Sequence, residues 1–301
     1  MKLNTSPIAP LDLSYYGIKN EVFIKRDDLI HPIISGNKWR KLKLNIEKYE
    51  SSPFKGVISM GGAFSSHILA LSYVCYKKKI PCVLLIRGEK PKKNDDIIQK
   101  CIANGAVIHH LSRTDYANKI WVNQFSEENY PSYFFIPEGG GNKYGLYGCK
   151  AIVEEISIEF DELFCDVGTG TTLAGISNAL KAHQKVNGIV VLKGAENLEK
   201  EIEDKYMEVY GEYSRAKWNL IHDYHFGGYA KYDHELVLFM QLFYEITGIK
   251  TDPIYSGKMF YGLIDILKKE IINPSKKIIA LHSGGLSGIR GYENRYGVKI
   301  Y

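Results

Sequence analysis

Short apolar runs rich in β-forming residues alternate along this sequence with longer segments that have the periodicity of amphipathic helices. Such alternation is typical of parallel sheets covered by helices, because a parallel connection must cross back over the sheet. The 301 residues fit two sheets of about four to six strands each. The sequence therefore predicts an α/β fold. The predicted strands lie at 56–60, 82–86, 106–109, 133–136, 162–166, 188–192 and 277–281.

Helices are predicted in the segments between and after these strands, where apolar residues recur at helical spacing. The predicted helices lie at 66–76, 94–104, 115–127, 147–158, 171–183, 195–209, 233–246 and 261–269. Neither a low-complexity linker nor a repeat of fixed period interrupts this rhythm. The elements therefore predict two helix-covered sheets and no separate appended module.

Composition excludes several classes of protein and site. The net charge of +5 is spread along the chain, and the short basic runs fit solvated surface better than a nucleic-acid interface. Five scattered cysteines without C-x-x-C spacing argue against disulfides and zinc, and the spacing of His222, His225 and His234 lacks a regular metal-binding face. The chain starts without a signal-like apolar stretch and contains no run of roughly 18 apolar residues. We expect a cytoplasmic protein with no metal and no membrane partner.

A glycine-rich turn leads from the predicted strand at 162–166 into the next predicted helix. Ligands of parallel sheets bind at such turns, at the carboxyl ends of the strands. The turn consists of Gly168, Thr169, Gly170, Thr171 and Thr172. Its amides, hydroxyls and helix start can bind one phosphate group, although it is neither a P-loop nor a dinucleotide fingerprint. The alternative is a tight turn without a ligand.

A second glycine-marked turn, at residues 35–41 (SGNKWRK), contains two lysines. An amine that is desolvated or flanked by cations loses its proton more easily and becomes a nucleophile. On a helix, Lys38 and Lys41 would share one face. One could bond an aldehyde while the other neutralises a phosphate, whereas the alternative for any single lysine is a solvated surface position.

The blocks at 24–29 (IKRDDL) and 35–41 resemble the opening of the 1-aminocyclopropane-1-carboxylate deaminase/D-cysteine desulfhydrase family. These are pyridoxal-phosphate enzymes with the tryptophan-synthase-β-like fold, fold type II. The resemblance covers most of the chain. It continues, in the same order and at similar spacings, through residues 61–67, 138–148, 168–172, 252–258 and 282–285.

The resemblance implies a two-domain enzyme that binds pyridoxal 5'-phosphate, acts on a small amino acid and forms a homodimer. Residues 1–46 and 152–301 would form the large cofactor-binding domain, and residues 47–151 a smaller inserted domain. Lys38 stands where the family has its Schiff-base lysine, and Lys41 where a second lysine meets the phosphate. The turn at 168–172 stands at the phosphate-binding loop.

The resemblance also implies substrate-contacting residues. Ser65 stands at the position of a serine that touches the substrate and is proposed to shuttle a proton. Tyr229 and Tyr255 stand at the positions of two active-site tyrosines. The turn that contains Ser66 and His67 would receive the substrate carboxylate on its amides, beside a helix start.

Three positions depart from the family pattern. Ser66 replaces an asparagine that bonds the ring hydroxyl of the cofactor, and a serine reaches less far. His67 replaces the glutamine of the deaminases and resembles the desulfhydrase-type members; a helix-start surface residue is the alternative. Ser256 replaces a glutamate that salt-bridges the pyridine nitrogen, so we expect it to contact the cofactor with a hydroxyl and to leave the ring nitrogen neutral.

These residues predict a lyase or deaminase that releases ammonia and a 2-oxo acid from a small amino acid. Loss of the glutamate at 256 favours β-elimination from D-cysteine over the opening of 1-aminocyclopropane-1-carboxylate, because a thiolate leaves readily even when electron withdrawal is weaker. Lys38 is the expected base. A non-catalytic pyridoxal-phosphate binder is the alternative of another class. A nicotinamide-dependent dehydrogenase is disfavoured by the absent fingerprint.

Overall fold

In a computed structural model of the chain, residues 3–90, 96–212 and 218–301 are described. They form two β-sheets that are covered by helices, which confirms the α/β prediction. No helix in these three ranges is long and apolar enough to cross a membrane.

The larger sheet contains six strands in the order β1-β2-β10-β7-β8-β9, and every pair is parallel except β1 with β2. Its last strand lies in the middle, between β2 and β7, so this sheet brings together both ends of the chain. Its strands are β1 (Ile8–Pro10), β2 (Val22–Lys25), β7 (Glu162–Val167), β8 (Lys185–Val190), β9 (Trp218–Ile221) and β10 (Ile278–Leu281).

The smaller sheet contains four parallel strands in the order β5-β4-β3-β6. The strands are β3 (Gly56–Gly62), β4 (Cys82–Arg87), β5 (Val107–Leu111) and β6 (Tyr133–Ile136). All four fall inside the segment 47–151, and all six strands of the larger sheet fall outside it. The division into two domains at these boundaries stays a prediction.

Helices follow nearly every strand and cover the faces of both sheets. They are α1 (Asn37–Glu50), α2 (Ser66–Lys78), α3 (Asp96–Ala103), α4 (Arg113–Ala117), α5 (Lys119–Asn129), α6 (Lys143–Glu154), α7 (Thr171–Ala179), α8 (Leu198–Tyr210), α9 (His234–Thr247), α10 (Ser256–Lys268) and α11 (Ile289–Tyr296). The first two residues of the helix predicted at 94–104 lie outside the described residues.

Two helices begin earlier than predicted because polar side chains cap them. The Asn142 side chain accepts a 3.1 Å hydrogen bond from the Gly145 amide, so α6 begins at Lys143 and not at 147. The Asp252 carboxylate accepts from the amides of Tyr255 and Ser256, both at 2.9 Å, so α10 begins at Ser256 and not at 261. Side-chain caps of this kind satisfy amides that a helix start leaves unpaired. Apolar periodicity alone does not reveal them.

Helix α1 is fixed to distant parts of the chain by a network of charges. Arg40, which is 7% exposed, bonds to the buried Asp27 at 2.9 Å and to Glu155 just after α6. Lys25, at the end of β2, also bonds to Glu155, at 2.9 Å. Because removing one member would leave its buried partners unpaired, this network fixes the start of α1, where Lys38 lies.

Candidate active site

Four helix starts carry the residues that the sequence singled out. Lys38 lies in the first turn of α1, and Ser65 caps the N-terminus of α2. Gly170 and Tyr255 are the residues that precede α7 and α10. A helix start presents free amides and partial positive charge. The site is therefore suited to ligands with anionic groups.

Gly36 brings the start of α1 against the turn that follows β10. It has φ +65°, and a Cβ atom there would lie only 1.7 Å from the Ser283 carbonyl oxygen. The adjacent Asn37 amide donates to the same oxygen at 3.1 Å. Only glycine permits both the positive φ and this close approach. Lys38 is therefore held beside the carboxyl end of β10.

The Lys38 side chain lies between polar and aromatic groups. Its Nζ donates a 2.7 Å hydrogen bond to Asn37 Oδ1 and lies 5.5 Å from the centre of the Tyr255 ring. Burial, together with repulsion from Lys41, lowers the pKa of Lys38 to about 8. A substantial fraction of this amine is therefore unprotonated near neutral pH, as a nucleophile requires.

The turn at 168–172 forms a cup lined by hydroxyl groups and cations. Thr169 Oγ1 and Thr171 Oγ1 lie 3.2 Å apart, and Lys205 from α8 donates to the Thr169 carbonyl oxygen at 2.6 Å. Burial lowers the pKa of both Lys41 and Lys205. Gly170 has φ +76°, and a Cβ atom there would lie 2.2 Å from the Ile202 side chain. The cup therefore needs its glycine and concentrates positive charge.

Tyr255 and Tyr229 form an aromatic pair beside Lys38. Their ring centres lie 6.0 Å apart at an interplanar angle of 75°. A Cβ atom on Gly168 would lie 3.3 Å from the Tyr255 ring, so that ring packs against the turn at 168–172. Burial raises the pKa of Tyr255 well above its ordinary value, so its hydroxyl keeps its proton at neutral pH. The structure thus places Tyr255 beside Lys38 and Tyr229 beside Tyr255.

Ser65, Ser66 and His67 lie at the start of α2. Ser65 Oγ accepts from the His67 amide at 3.3 Å, and His67 Nε2 lies 3.0 Å from Ser59 Oγ. Burial, with the nearby cations Lys38 and Lys41, lowers the pKa of His67 to about 3, so its ring is neutral. His67 is buried, unlike a surface residue, and its Nδ1 has no partner among the described residues.

The structure links this turn to Lys38 through electrostatics and not through direct bonding. Neither Ser65 nor Ser66 is hydrogen-bonded to Lys38 in the described part of the chain. The His67 ring and the Lys41 side chain lie on either side of Gly140. A Cβ atom on that glycine would lie 3.8 Å from His67 Cε1 and 3.0 Å from Lys41 Cβ. The roles of Ser65 and Ser66 therefore stay predictions.

Ser256 is fully buried, and its hydroxyl is already engaged. Its Oγ donates to Asp252 Oδ2 at 2.7 Å and accepts from the Asp252 amide at 2.8 Å. The hydrogen that Ser256 was expected to offer to a cofactor nitrogen is thus directed to a carboxylate. Ser256 stays a predicted contact. In this arrangement it can accept a hydrogen bond but cannot donate one.

Sequence reasoning missed three buried groups at the site. Asn37 bridges Lys38 and the Thr172 hydroxyl, to which its amide donates at 3.2 Å. Asp166, at the end of β7, accepts a hydrogen bond from the Ser283 hydroxyl at the end of the neighbouring strand β10. The sequence did contain a signal for Asp166, which is a charged residue directly after the apolar run of β7. A buried carboxylate costs free energy, so an aspartate at such a position indicates a functional or structural role.

The donor set fits pyridoxal phosphate. Lys41 Nζ makes no hydrogen bond within the described ranges and is close enough to both Lys38 and Lys205 to lower their pKa values, and Lys205 also bonds to the glycine-threonine cup. Clustered buried cations repel one another unless an anion joins them. A phosphate in the cup would relieve that repulsion, and the Lys38 amine would bond the aldehyde.

Comparison with known proteins agrees with this site. Residues 3–284 match the family model described as pyridoxal-phosphate dependent enzyme. The chain belongs to this family. The resemblance of the sequence to the deaminase/desulfhydrase enzymes and the prediction of pyridoxal phosphate as cofactor are both confirmed.

Relatives are similar over nearly the whole chain. A Thermotoga maritima protein, named as a candidate 1-aminocyclopropane-1-carboxylate deaminase, is 30% identical over 91% of this chain and 91% of its own length. An Arabidopsis thaliana mitochondrial protein, named a bifunctional D-cysteine desulfhydrase/1-aminocyclopropane-1-carboxylate deaminase, is 28% identical over 89% of this chain and 73% of its own. A solved structure of an ACC deaminase homologue superposes with a TM-score of 0.83, at 28% identity, covering 98% of this chain and 94% of that one.

Proposed function

We propose that this enzyme cleaves a small amino acid by β-elimination, with D-cysteine as the favoured substrate. The reaction would consume one water molecule and release sulfide, ammonia and a 2-oxo acid. The observation that carries the proposal is the pairing of an amine of lowered pKa with a protonated phenol, Lys38 Nζ lying 5.5 Å from the Tyr255 ring centre. Elimination needs one group that removes the proton from the α-carbon and a second group that donates a proton to the leaving thiolate.

Each residue has a defined task in this proposal. When bound, pyridoxal phosphate withdraws electrons from the carbon that loses its proton. Lys38 would hold the cofactor and, as a free amine, would take that proton on Nζ. Tyr255 would direct its hydroxyl hydrogen to the leaving sulfur, and Tyr229 packs against Tyr255. The Thr169 and Thr171 hydroxyls, Lys41 and Lys205 bind the phosphate.

The substrate carboxylate would bind at the start of α2. The amide of Ser66 and the positive end of the helix favour an anion there. Because His67 is neutral, it would contribute a hydrogen bond and no charge. This location separates the carboxylate from the cationic phosphate cup and leaves Lys38 facing the α-carbon.

The opening of 1-aminocyclopropane-1-carboxylate is the second candidate function. It is supported by the names of the 30%-identical Thermotoga maritima relative and of the solved homologue. Ring opening breaks a carbon–carbon bond and makes a poorer leaving group than a thiolate. It therefore asks more electron withdrawal from the site than the elimination does.

The test is an assay of ammonia and 2-oxo acid released by purified, cofactor-loaded protein. The compounds are D-cysteine, L-cysteine, D-serine, β-chloro-D-alanine and 1-aminocyclopropane-1-carboxylate. We expect the largest kcat/KM for D-cysteine. A larger value for 1-aminocyclopropane-1-carboxylate would select the second candidate. Retention of cofactor without turnover of any of the five would instead support a non-catalytic binding protein.

We also propose that the enzyme is a cytoplasmic homodimer. This rests on the family resemblance. Sedimentation velocity of the loaded protein tests the oligomeric state, with a single species of twice the 34.2 kDa chain mass expected. Fractionation of the source cells tests the compartment.

A further inference from the structure

A buried carboxylate at the site is only half satisfied. Asp166 is 5% exposed, and its Oδ1 accepts a hydrogen bond from Ser283 Oγ. Its Oδ2 makes no hydrogen bond to any residue in the ranges that the structure describes. Burial raises the pKa of Asp166, although the Ser283 hydroxyl and the nearby cations Lys38 and Lys41 act in the opposite direction. Asp166 Oδ2 is not one of the fully enclosed side-chain atoms that lack a partner, so it is accessible to a ligand.

The other buried carboxylate near Lys38 has no such capacity. Asp252 accepts hydrogen bonds from the amides of Ile254, Tyr255 and Ser256, each at 2.9 Å, and from the Ser256 hydroxyl at 2.7 Å. These four bonds occupy both of its oxygens and hold the turn before α10. Asp252 is therefore committed to the fold, and Asp166 alone of the two is free to pair with a ligand.

The location of Asp166 defines which part of the cofactor it can meet. It is the penultimate residue of β7, two residues before the Gly168 cup, and its partner Ser283 contacts the Gly36 turn just before Lys38. The cofactor would thus be held by its aldehyde at Lys38 and by its phosphate at 168–172. Apart from the ring hydroxyl, the basic atom that remains is the ring nitrogen, which lies across the ring from the carbon that bears the aldehyde. A buried acid is the complementary partner of that nitrogen.

We propose that Asp166, oriented by Ser283, binds the ring nitrogen of pyridoxal phosphate and keeps it protonated. The Ser283 hydroxyl gives its hydrogen to Asp166. It can therefore only accept a hydrogen bond from a nitrogen that approaches it, and this too requires a proton on that nitrogen. Asp166 thereby supplies the negative charge that position 256 lacks. This inference rests on the placement of the cofactor between Lys38 and the cup.

The test reads the protonation state of the nitrogen directly. The protein is loaded with pyridoxal phosphate carrying ¹⁵N in the ring, and the nitrogen chemical shift is recorded at neutral pH. We expect the shift of a protonated nitrogen in the wild type and that of a neutral nitrogen in Asp166→Asn. Asp265→Asn is the matched control, because this carboxylate of α10 pairs with Lys269 and Tyr224 instead. It should give the wild-type shift.

A binding experiment gives a second readout that needs no catalysis. Apo protein is titrated with pyridoxal phosphate and with an analogue whose ring nitrogen is replaced by a carbon–hydrogen group. A charge-assisted bond to nitrogen should make the wild type prefer the natural cofactor by about tenfold or more. Asp166→Asn should lose most of that preference. An equal preference in both proteins would overturn the proposal.

The outcomes separate this inference from the placement on which it rests. Borohydride reduction and peptide mapping show whether the cofactor is attached to Lys38. A cofactor on Lys38 with a neutral nitrogen in the wild type refutes the role of Asp166 and leaves the placement intact. Attachment to another lysine refutes the placement itself. If Asp166→Asn fails to fold, the nitrogen shifts of the wild type and of Asp166→Glu still test the proposal. Both proteins should show a protonated nitrogen, and a neutral nitrogen in the wild type would refute the role of Asp166.

Discussion

The side chain of Asn37 donates a 3.2 Å hydrogen bond to the hydroxyl of Thr172, a residue 135 positions later in the sequence. The same side chain accepts from Lys38 Nζ at 2.7 Å. One buried amide thus sets the distance between the amine that would bond the aldehyde and the loop that would bind the phosphate. Positioning of this kind is a general source of rate enhancement, because it removes the need to orient the groups during the reaction.

Asn37→Ala is expected to weaken cofactor binding. The substitution removes the bridge and leaves buried polar partners unsatisfied, at a cost of about 1–3 kcal/mol, or roughly 5- to 150-fold in Kd. The measurement is equilibrium titration of apo protein with pyridoxal phosphate. Asn123→Ala, an exposed position on α5, is the control and should bind as the wild type does. An unchanged Kd for Asn37→Ala would show that the bridge is dispensable.

Lys38→Ala should abolish covalent attachment and lose nearly all activity, because nucleophile and base are removed together. Residual binding through the phosphate cup is expected. After borohydride reduction, mass mapping should find the pyridoxyl group on Lys38 in the wild type and on no lysine in the variant. Lys43→Ala, an exposed neighbour on α1, should remain active. A pyridoxyl group on Lys193 or Lys258 would refute the assignment.

Tyr255→Phe should reduce kcat by about 10²–10⁴-fold with little change in cofactor affinity. The ring remains packed over Gly168, and only the proton donor is lost. The comparison is steady-state kinetics with D-cysteine, alongside Tyr261→Phe, which removes a hydroxyl bonded to Glu235 elsewhere on α10. Equal turnover in Tyr255→Phe and the wild type would reduce Tyr255 to a packing residue.

Attachment of the cofactor should depend on pH through Lys38. Its pKa is lowered to about 8, so the reactive free amine accumulates as the pH rises through 8, well before it would in water. Lys41→Met removes a neighbouring positive charge and should raise the pKa of Lys38, which moves the profile to higher pH. Pyridoxal without its phosphate is the probe, because Lys41 then has no phosphate to bind. A profile unaffected by Lys41→Met would exclude this coupling.

Lys258→Met should destabilise the fold around Tyr229. The fully buried Lys258 ammonium donates to the carbonyl oxygens of His225 and Gly228 at 2.8 and 2.7 Å. Without it these carbonyls are unpaired, and we expect the free energy of unfolding to fall by about 1–3 kcal/mol. Urea denaturation measures this, and KM should rise as Tyr229 shifts. Lys269→Met, which removes an exposed ion pair, should change stability by less than about 1 kcal/mol.

Strongly patterned elements could be predicted from the sequence. The strands β3, β4, β6 and β7 match the prediction to within two residues, because each is an apolar run between turn residues. The short strands β1, β2 and β9 were missed, since three or four residues carry little pattern. Their place is determined by pairing with strands far away in the sequence. Tertiary contacts, and not local preference, define them.

The site could be predicted where a turn and a reactive side chain occur together, as at Lys38 and the Gly168 cup. Asn37, Asp166 and Ser283 could not, because their roles depend on which strand ends are neighbours in space. A single sequence does not reveal that β10 inserts beside β7. Ser256 also shows that the role of a side chain depends on its neighbours in space. Its hydroxyl is buried as expected, but the direction of its hydrogen depends on Asp252.

The central place of β10 in the larger sheet has a consequence for biosynthesis. Residues 278–281 pair with residues 22–25 on one side and with 162–164 on the other. The two neighbours cannot be joined until nearly the whole chain has left the ribosome, and loops of this length close slowly. The turn that contains Ser283, which contacts the turn before Lys38, also forms only when β10 has been synthesised. A truncated nascent chain would therefore carry its reactive lysine without a finished pocket around it.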